Sequence, residues 1–124
     1  MFTVNGKELE YDVFDADKME VYEAAMQRVM DKMDELKQKE EELSASQSIR
    51  EQCSAVAECF DSLFGAGTAS ELFDGRVNLK LALQAFGELV EGIKRQRAEL
   101  EAVTQSVLPS GKGNRAARRA VKKK

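Results

Sequence analysis

The chain has 124 residues, 43% of them hydrophobic and 33% charged, with a net charge of −3, no His, no Trp and a single Pro. That length holds one domain with a short extension. No apolar run approaches the ~20 residues that a bilayer-spanning helix needs, and no apolar leader core follows Met1, so a cytoplasmic protein without membrane contact is expected. The net charge conceals a division. Seven of the 19 basic residues and none of the 22 acids lie from Pro109 to Lys124, leaving 12 bases against 22 acids (−10) in residues 1–108.

The opening FTVNGKELEYDV carries Asn5-Gly6, the dipeptide that best tolerates the two positive φ angles of a type I′ turn. A hairpin closed there sets Phe2 opposite Leu9 and Val4 opposite Lys7. Phe2, Val4, Leu9, Tyr11 and Val13 then share one face, which must lie on helices or on a partner, because a lone hairpin is marginal in water.

Asp17-Lys-Met-Glu20 has the form of a capping box and predicts the start of a first helix. Tyr22, Met26, Val29, Met33, Leu36 and Leu43 follow at heptad-like spacing, one apolar seam on a long amphipathic helix. The polar run KQKEEE from Lys37 marks where that helix leaves the core. Ser48-Ile-Arg-Glu51 is a second capping-box match, with a seam of Ile49, Cys53, Val56, Phe60 and Leu63 behind it and Gly65 and Gly67 as its stop. Ser44–Ser48 is also compatible with unbroken helix. Thr68-Ala-Ser-Glu71 is a third box, ahead of a short helical turn around Leu72 and Phe73 and a turn at Asp74-Gly75. Asn78 caps a last helix whose apolar positions are Leu79, Ala82, Leu83, Phe86, Leu89, Val90, Ile93, Leu100 and Val103. Pro109-Ser-Gly-Lys-Gly ends regular structure. The fold expected is mainly α: an N-terminal hairpin packed on a bundle of two long helices plus shorter ones, residues 1–108, followed by a disordered basic tail, residues 109–124.

Residue types that carry chemistry are few. With no His and no apt Cys setting, the usual nucleophile–base pairings are missing. Cys53 and Cys59 lack the two further soft ligands of a zinc site and read as small apolar residues. The carboxylates of Glu40–Glu42 and of Asp31, Asp34 and Glu35 belong to polar helix faces. GAGTASELFDG places two glycines before a helix start, but it has neither the Gly-Lys-Ser/Thr ending nor the GxGxxG spacing of phosphate loops. No enzyme, cofactor or metal is expected. Binding is the remaining class. Met26, Met33, Phe60, Phe73 and Phe86 are the apolar seam residues that a partner could use, and each reads equally as core. In the tail, Arg115, Arg118, Arg119, Lys122, Lys123 and Lys124 suit a sequence-blind contact to nucleic acid, a grip on an acidic protein, or a solvated end.

The stretches FTVNGKELEYDVFDADKMEVYEAA, FDSLFGAGTASELFDGRVNLKLALQAFGELVEGI and NRAARRAVKKK together resemble small proteins encoded among the tail genes of Gram-positive prophages. The resemblance covers nearly the whole chain. It implies a non-enzymatic protein similar to phage tail assembly chaperones, which keep the tape-measure protein soluble while tail-tube subunits polymerise around it. It also leaves room for a capsid scaffold or head–tail component, for a nucleic-acid-binding accessory protein acting through the tail, and for self-association.

Overall fold

The computed structural model describes residues 2–108. The tail from Pro109, with all six of its candidate contact residues, lies outside the described residues. The described chain is mostly helix behind a two-stranded antiparallel hairpin: β1 (Phe2–Val4), β2 (Lys7–Leu9), α1 (Ala16–Gln38), a 3₁₀ turn (Glu40–Glu42), α2 (Ala45–Phe64), α3 (Thr68–Phe73) and α4 (Leu79–Val107). It divides into two compact units, one ending at Ile93 and one beginning at Lys94.

The hairpin closes as its turn chemistry requires. Phe2 pairs with Leu9, Thr3 with Glu8 and Val4 with Lys7, and Asn5 and Gly6 both take positive φ, 50° and 80°. Phe2, Val4, Tyr11 and Val13 are buried, and Leu9 packs against the same core. Asn5 does more than turn the chain. Its backbone N–H donates to Glu88 Oε1 at 2.8 Å and its side-chain amide donates to the Leu72 carbonyl, tying the turn to α3 and α4. A Cβ at Gly6 would meet nothing within 4 Å, so the cost of Gly6→Val is one of backbone conformation. That substitution is expected to lower stability by about 1 kcal/mol or more and to loosen the strand pair while the helices survive. Unchanged melting and unchanged amide protection across Phe2–Leu9 would contradict it.

Several helix boundaries differ from the sequence expectation. α1 is capped by Asp15, whose carboxylate accepts from Lys18 N at 3.0 Å; Asp17 lies inside the first turn. α2 begins one turn earlier than the Ser48 box implies. Ser44 is its N-cap, and Ser44 and Gln47 form the reciprocal capping box, so Ser48 is interior and Ile49 is exposed. At α3 the N-cap is Gly67 with no side-chain cap bond. The Thr68 hydroxyl instead donates back to the Gly65 carbonyl at 2.8 Å. At α1 and α2 an oxygen-bearing residue closer to the preceding turn takes the cap first and the later match becomes ordinary helix; at α3 it is Asp61 Oδ1, from α2, that accepts from Ala69 N. The expected stops and the last cap hold: Gly65, at φ 110°, follows α2, and Asn78 Oδ1 accepts from Leu81 N at 3.0 Å.

α1 and α2 run antiparallel, joined across their exposed edge by Lys32 Nζ to Glu51 at 3.0 Å and, one turn earlier on α1, by Arg28 to Ser62 Oγ at 3.2 Å. The core between hairpin and helices is an aromatic chain. Phe60 stacks on Phe64 at 6.2 Å and meets Phe73 edge-on at 6.0 Å. Phe64 in turn takes Phe2 at 6.3 Å and Tyr11 at 5.6 Å. Such offset and edge geometries suit the ring quadrupoles. Tyr11 also donates its hydroxyl to the Lys18 carbonyl at 2.5 Å, which fastens the hairpin's exit to α1. On α4 the buried face is Ala82, Ala85, Leu89, Gly92 and Ile93. Leu83, expected on the seam, is exposed; it lies off the face that Ala82, Ala85, Leu89 and Ile93 bury.

Candidate interaction surfaces

The five seam residues singled out in sequence separate into two groups. Phe60 is 0% exposed and Phe73 is buried, both within the core. Met26, Met33 and Phe86 are half-buried and pack against that core. The five therefore do not form one surface. Phe60 has none to offer in this conformation, whereas Phe73 lines a groove described below. Of the other methionines, Met19 packs against the core and Met30 is 62% exposed.

Between α1 and α2 lies a cleft of about 420 Å³ whose walls include Arg28, Asp31, Lys32, Glu35, Glu51 and Glu58. Most of its charges are already engaged. Lys32 bridges Glu51 at 3.0 Å and Glu35 at 3.7 Å, and Lys39 takes the other Glu35 oxygen at 3.1 Å. The hydrogen bond from Lys39 and the charge of Lys32 hold the Glu35 carboxyl below its usual range. At the cleft's base, burial pushes the Cys59 thiol up to about 11, so it stays protonated and unreactive near neutral pH. Among the described residues no cluster of metal-ligating side chains occurs, and no helix is long and apolar enough to cross a membrane.

A second groove, of about 270 Å³, opens where α2, α3, the Asp74–Asn78 connection and the start of α4 meet. Cys53, Ala57, Phe73 and Val77 supply apolar walls, and Arg50 and Arg76 stand among them. The sequence signal for it was the α2 seam itself. Ile49 and Cys53 sit in line with the buried residues of α2; Ile49 is exposed, and Cys53, packed in part against the core, also lines this groove. Neither guanidinium has an ion pair or side-chain hydrogen bond among the described residues.

The unit beginning at Lys94 offers a third surface. Gln96, Leu100, Val103 and Val107 recur on α4 at 4-3-4 spacing, in step with Leu89 and Ile93 earlier in the sequence. Val103 is 56% and Val107 70% exposed, and Leu100 is exposed as well. Lys94, Arg95, Arg97, Glu99 and Glu101 flank them. This is the pattern of a coiled-coil strand, apolar at a and d with charges beside them. Sequence reasoning named Leu100 and Val103 as continuing the last seam but did not list them as partner contacts.

The chain belongs to a family of unknown function, DUF6673, whose model matches residues 5–122. No curated protein and no solved structure matches it.

Proposed function

We propose that this member of the family is a non-enzymatic assembly factor of a phage tail, a chaperone that binds the tape-measure protein in the cytoplasm of the bacterial host until tail-tube subunits polymerise around it. The observation that carries the reading is the exposed Leu100–Val103–Val107 stripe of α4. A long client that forms coiled coils displays apolar heptad stripes, and such a stripe aggregates unless another apolar surface covers it. A helix with the same spacing covers it by knobs-into-holes packing. The resemblance of the sequence to tail-gene proteins of prophages supplies the identity of the client, and the acidic charge of residues 1–108 favours keeping the complex dispersed. A chain without His, and with its one well-buried thiol held protonated, suits binding rather than catalysis.

The test is capture of the phage's tape-measure protein by the full-length chain at low and at about 0.5 M salt, where exposed charge contacts are screened. Capture is expected at both. Leu100→Asp with Val103→Asp is expected to abolish it while leaving the melting midpoint in place, because both side chains are exposed. Capture lost at high salt alone would assign binding to the tail's cations. Binding to coat protein with no capture of the tape measure would make the protein a scaffold instead.

A further inference from the structure

Phe14 is the most exposed aromatic side chain among the described residues, at 57%. Its neighbours Tyr11 and Val13 are buried, so the turn that carries it is anchored on the hairpin side. Two carboxylates fix the rest of that turn. Asp12 Oδ1 accepts from Phe14 N at 3.0 Å, and Asp15 caps α1 through Lys18 N. With Asp17 in the first turn of α1, the ring stands on a turn whose backbone is tied down, with three acids close to it in sequence, so little backbone entropy is left to lose on binding. The groove of Arg50, Cys53, Ala57, Phe73, Arg76 and Val77 has the opposite character: apolar walls and two guanidinium groups without anionic partners.

We propose that the groove takes Phe14 of a second copy of this chain, with Arg50 and Arg76 meeting the carboxylates of Asp12, Asp15 and Asp17. The ring would cover apolar surface on both sides, and the arginines would pair with acids or lie against the ring face. Copies whose residues 1–108 each carry a charge of −10 otherwise repel, so this local inversion of sign specifies where they meet. The basic tail is a poorer occupant, since its seven cations would face two more. Plug and socket are different patches, so two copies exchange plugs about a two-fold axis or the contact propagates head to tail, into a closed ring or an open chain. It uses none of the residues of the α4 stripe, and stands or falls separately from the tape-measure reading.

Sedimentation of the full-length chain over a concentration series tests this. The parent is expected to associate. Phe14→Ala, and Arg50→Glu with Arg76→Glu, are each expected to weaken association at least about tenfold with the parental circular dichroism and melting midpoint, since all three side chains are exposed. The Phe14→Ala chain keeps its socket and the double-arginine variant keeps its plug. Mixed, they are expected to form dimers and nothing longer. Cys53 gives a second readout: its labelling by a maleimide should slow as the parent is concentrated, and should not slow in Phe14→Ala, with buried Cys59 silent throughout. A parent that stays monomeric at its highest attainable concentration, variants that associate like the parent, or a mixture that does not pair would each overturn the proposal.

Discussion

Replacing Phe60 with Ala is expected to lower the free energy of unfolding by about 3–5 kcal/mol, the range for emptying a fully buried aromatic site. The ring has no solvent exposure, so its removal forfeits the whole transfer term. The cavity term adds to it because the neighbours are poorly placed to close in. Phe64 on one side is held by Phe2 and Tyr11 from the hairpin, and Phe73 on the other belongs to α3, whose position Asp61 fixes by accepting from Ala69 N at 2.9 Å. Collapse of the cavity would have to drag the hairpin or α3 with it. A small domain has only about 5–15 kcal/mol in all, so the variant should unfold at a much lower urea midpoint with an unchanged slope. Phe60→Leu, which keeps most of the volume, should cost less. A variant with the parental midpoint would mean that the hairpin, α2 and α3 are not joined through this ring.

How much of this was legible in the sequence follows from which interactions are local. The hairpin register needed only Asn5-Gly6 and alternation from Phe2 to Val13, because turn geometry and a period of two fix it without reference to the rest of the chain. The seams of α1 and α2 were legible for the same reason: Val29, Leu36, Val56, Phe60 and Leu63 recur at helical spacing and are buried. Boundaries were less so. Three capping-box matches lay at Asp17, Ser48 and Thr68, and in each case the N-cap position fell to an earlier residue, Asp15, Ser44 or Gly67, the last without a side-chain cap. Several oxygen-bearing residues compete for the same unpaired N–H groups, and the local pattern does not rank them. Of the groove only one wall was legible, the α2 seam at Cys53. It depends on Arg50, Cys53, Phe73 and Arg76 converging from α2, α3 and the connection after it, with no acid among the residues that line it. The α4 stripe was half legible: Leu100 and Val103 had the spacing of core, and only the structure distinguishes a seam that is covered from one that is not.

Gly92 is where local propensity and packing give opposite answers, and there packing is expected to win. Gly in a helix interior is worth about 1 kcal/mol less than Ala, so a sequence-based choice would replace both Gly87 and Gly92 in α4. At Gly87 nothing lies within 4 Å of an added Cβ, and Gly87→Ala is expected to stabilise by about 0.5–1 kcal/mol. At Gly92 the same atom would sit 2.5 Å from Phe2 Cγ, 2.8 Å from Cδ2 and 2.9 Å from Cβ. Phe2 cannot swing aside easily. Its backbone is paired with Leu9, its ring is buried, and that ring meets Phe64 edge-on. Relief must come from moving β1 off the helix. Overpacking of this kind costs about 1–3 kcal/mol, which offsets the propensity gain for Ala and exceeds it clearly for Val, whose branched side chain adds bulk and helical strain. The ordering expected in thermal melts is Gly87→Ala above the parent, Gly92→Ala below Gly87→Ala, and Gly92→Val lowest. Trimming Phe2 to Leu should cost less in the Gly92→Ala background than in the parent, because the pair shares one space, and the coupling in that double-mutant cycle should exceed about 0.5 kcal/mol. If Gly92→Ala raises the midpoint as much as Gly87→Ala does, the hairpin does not rest on α4 at this point.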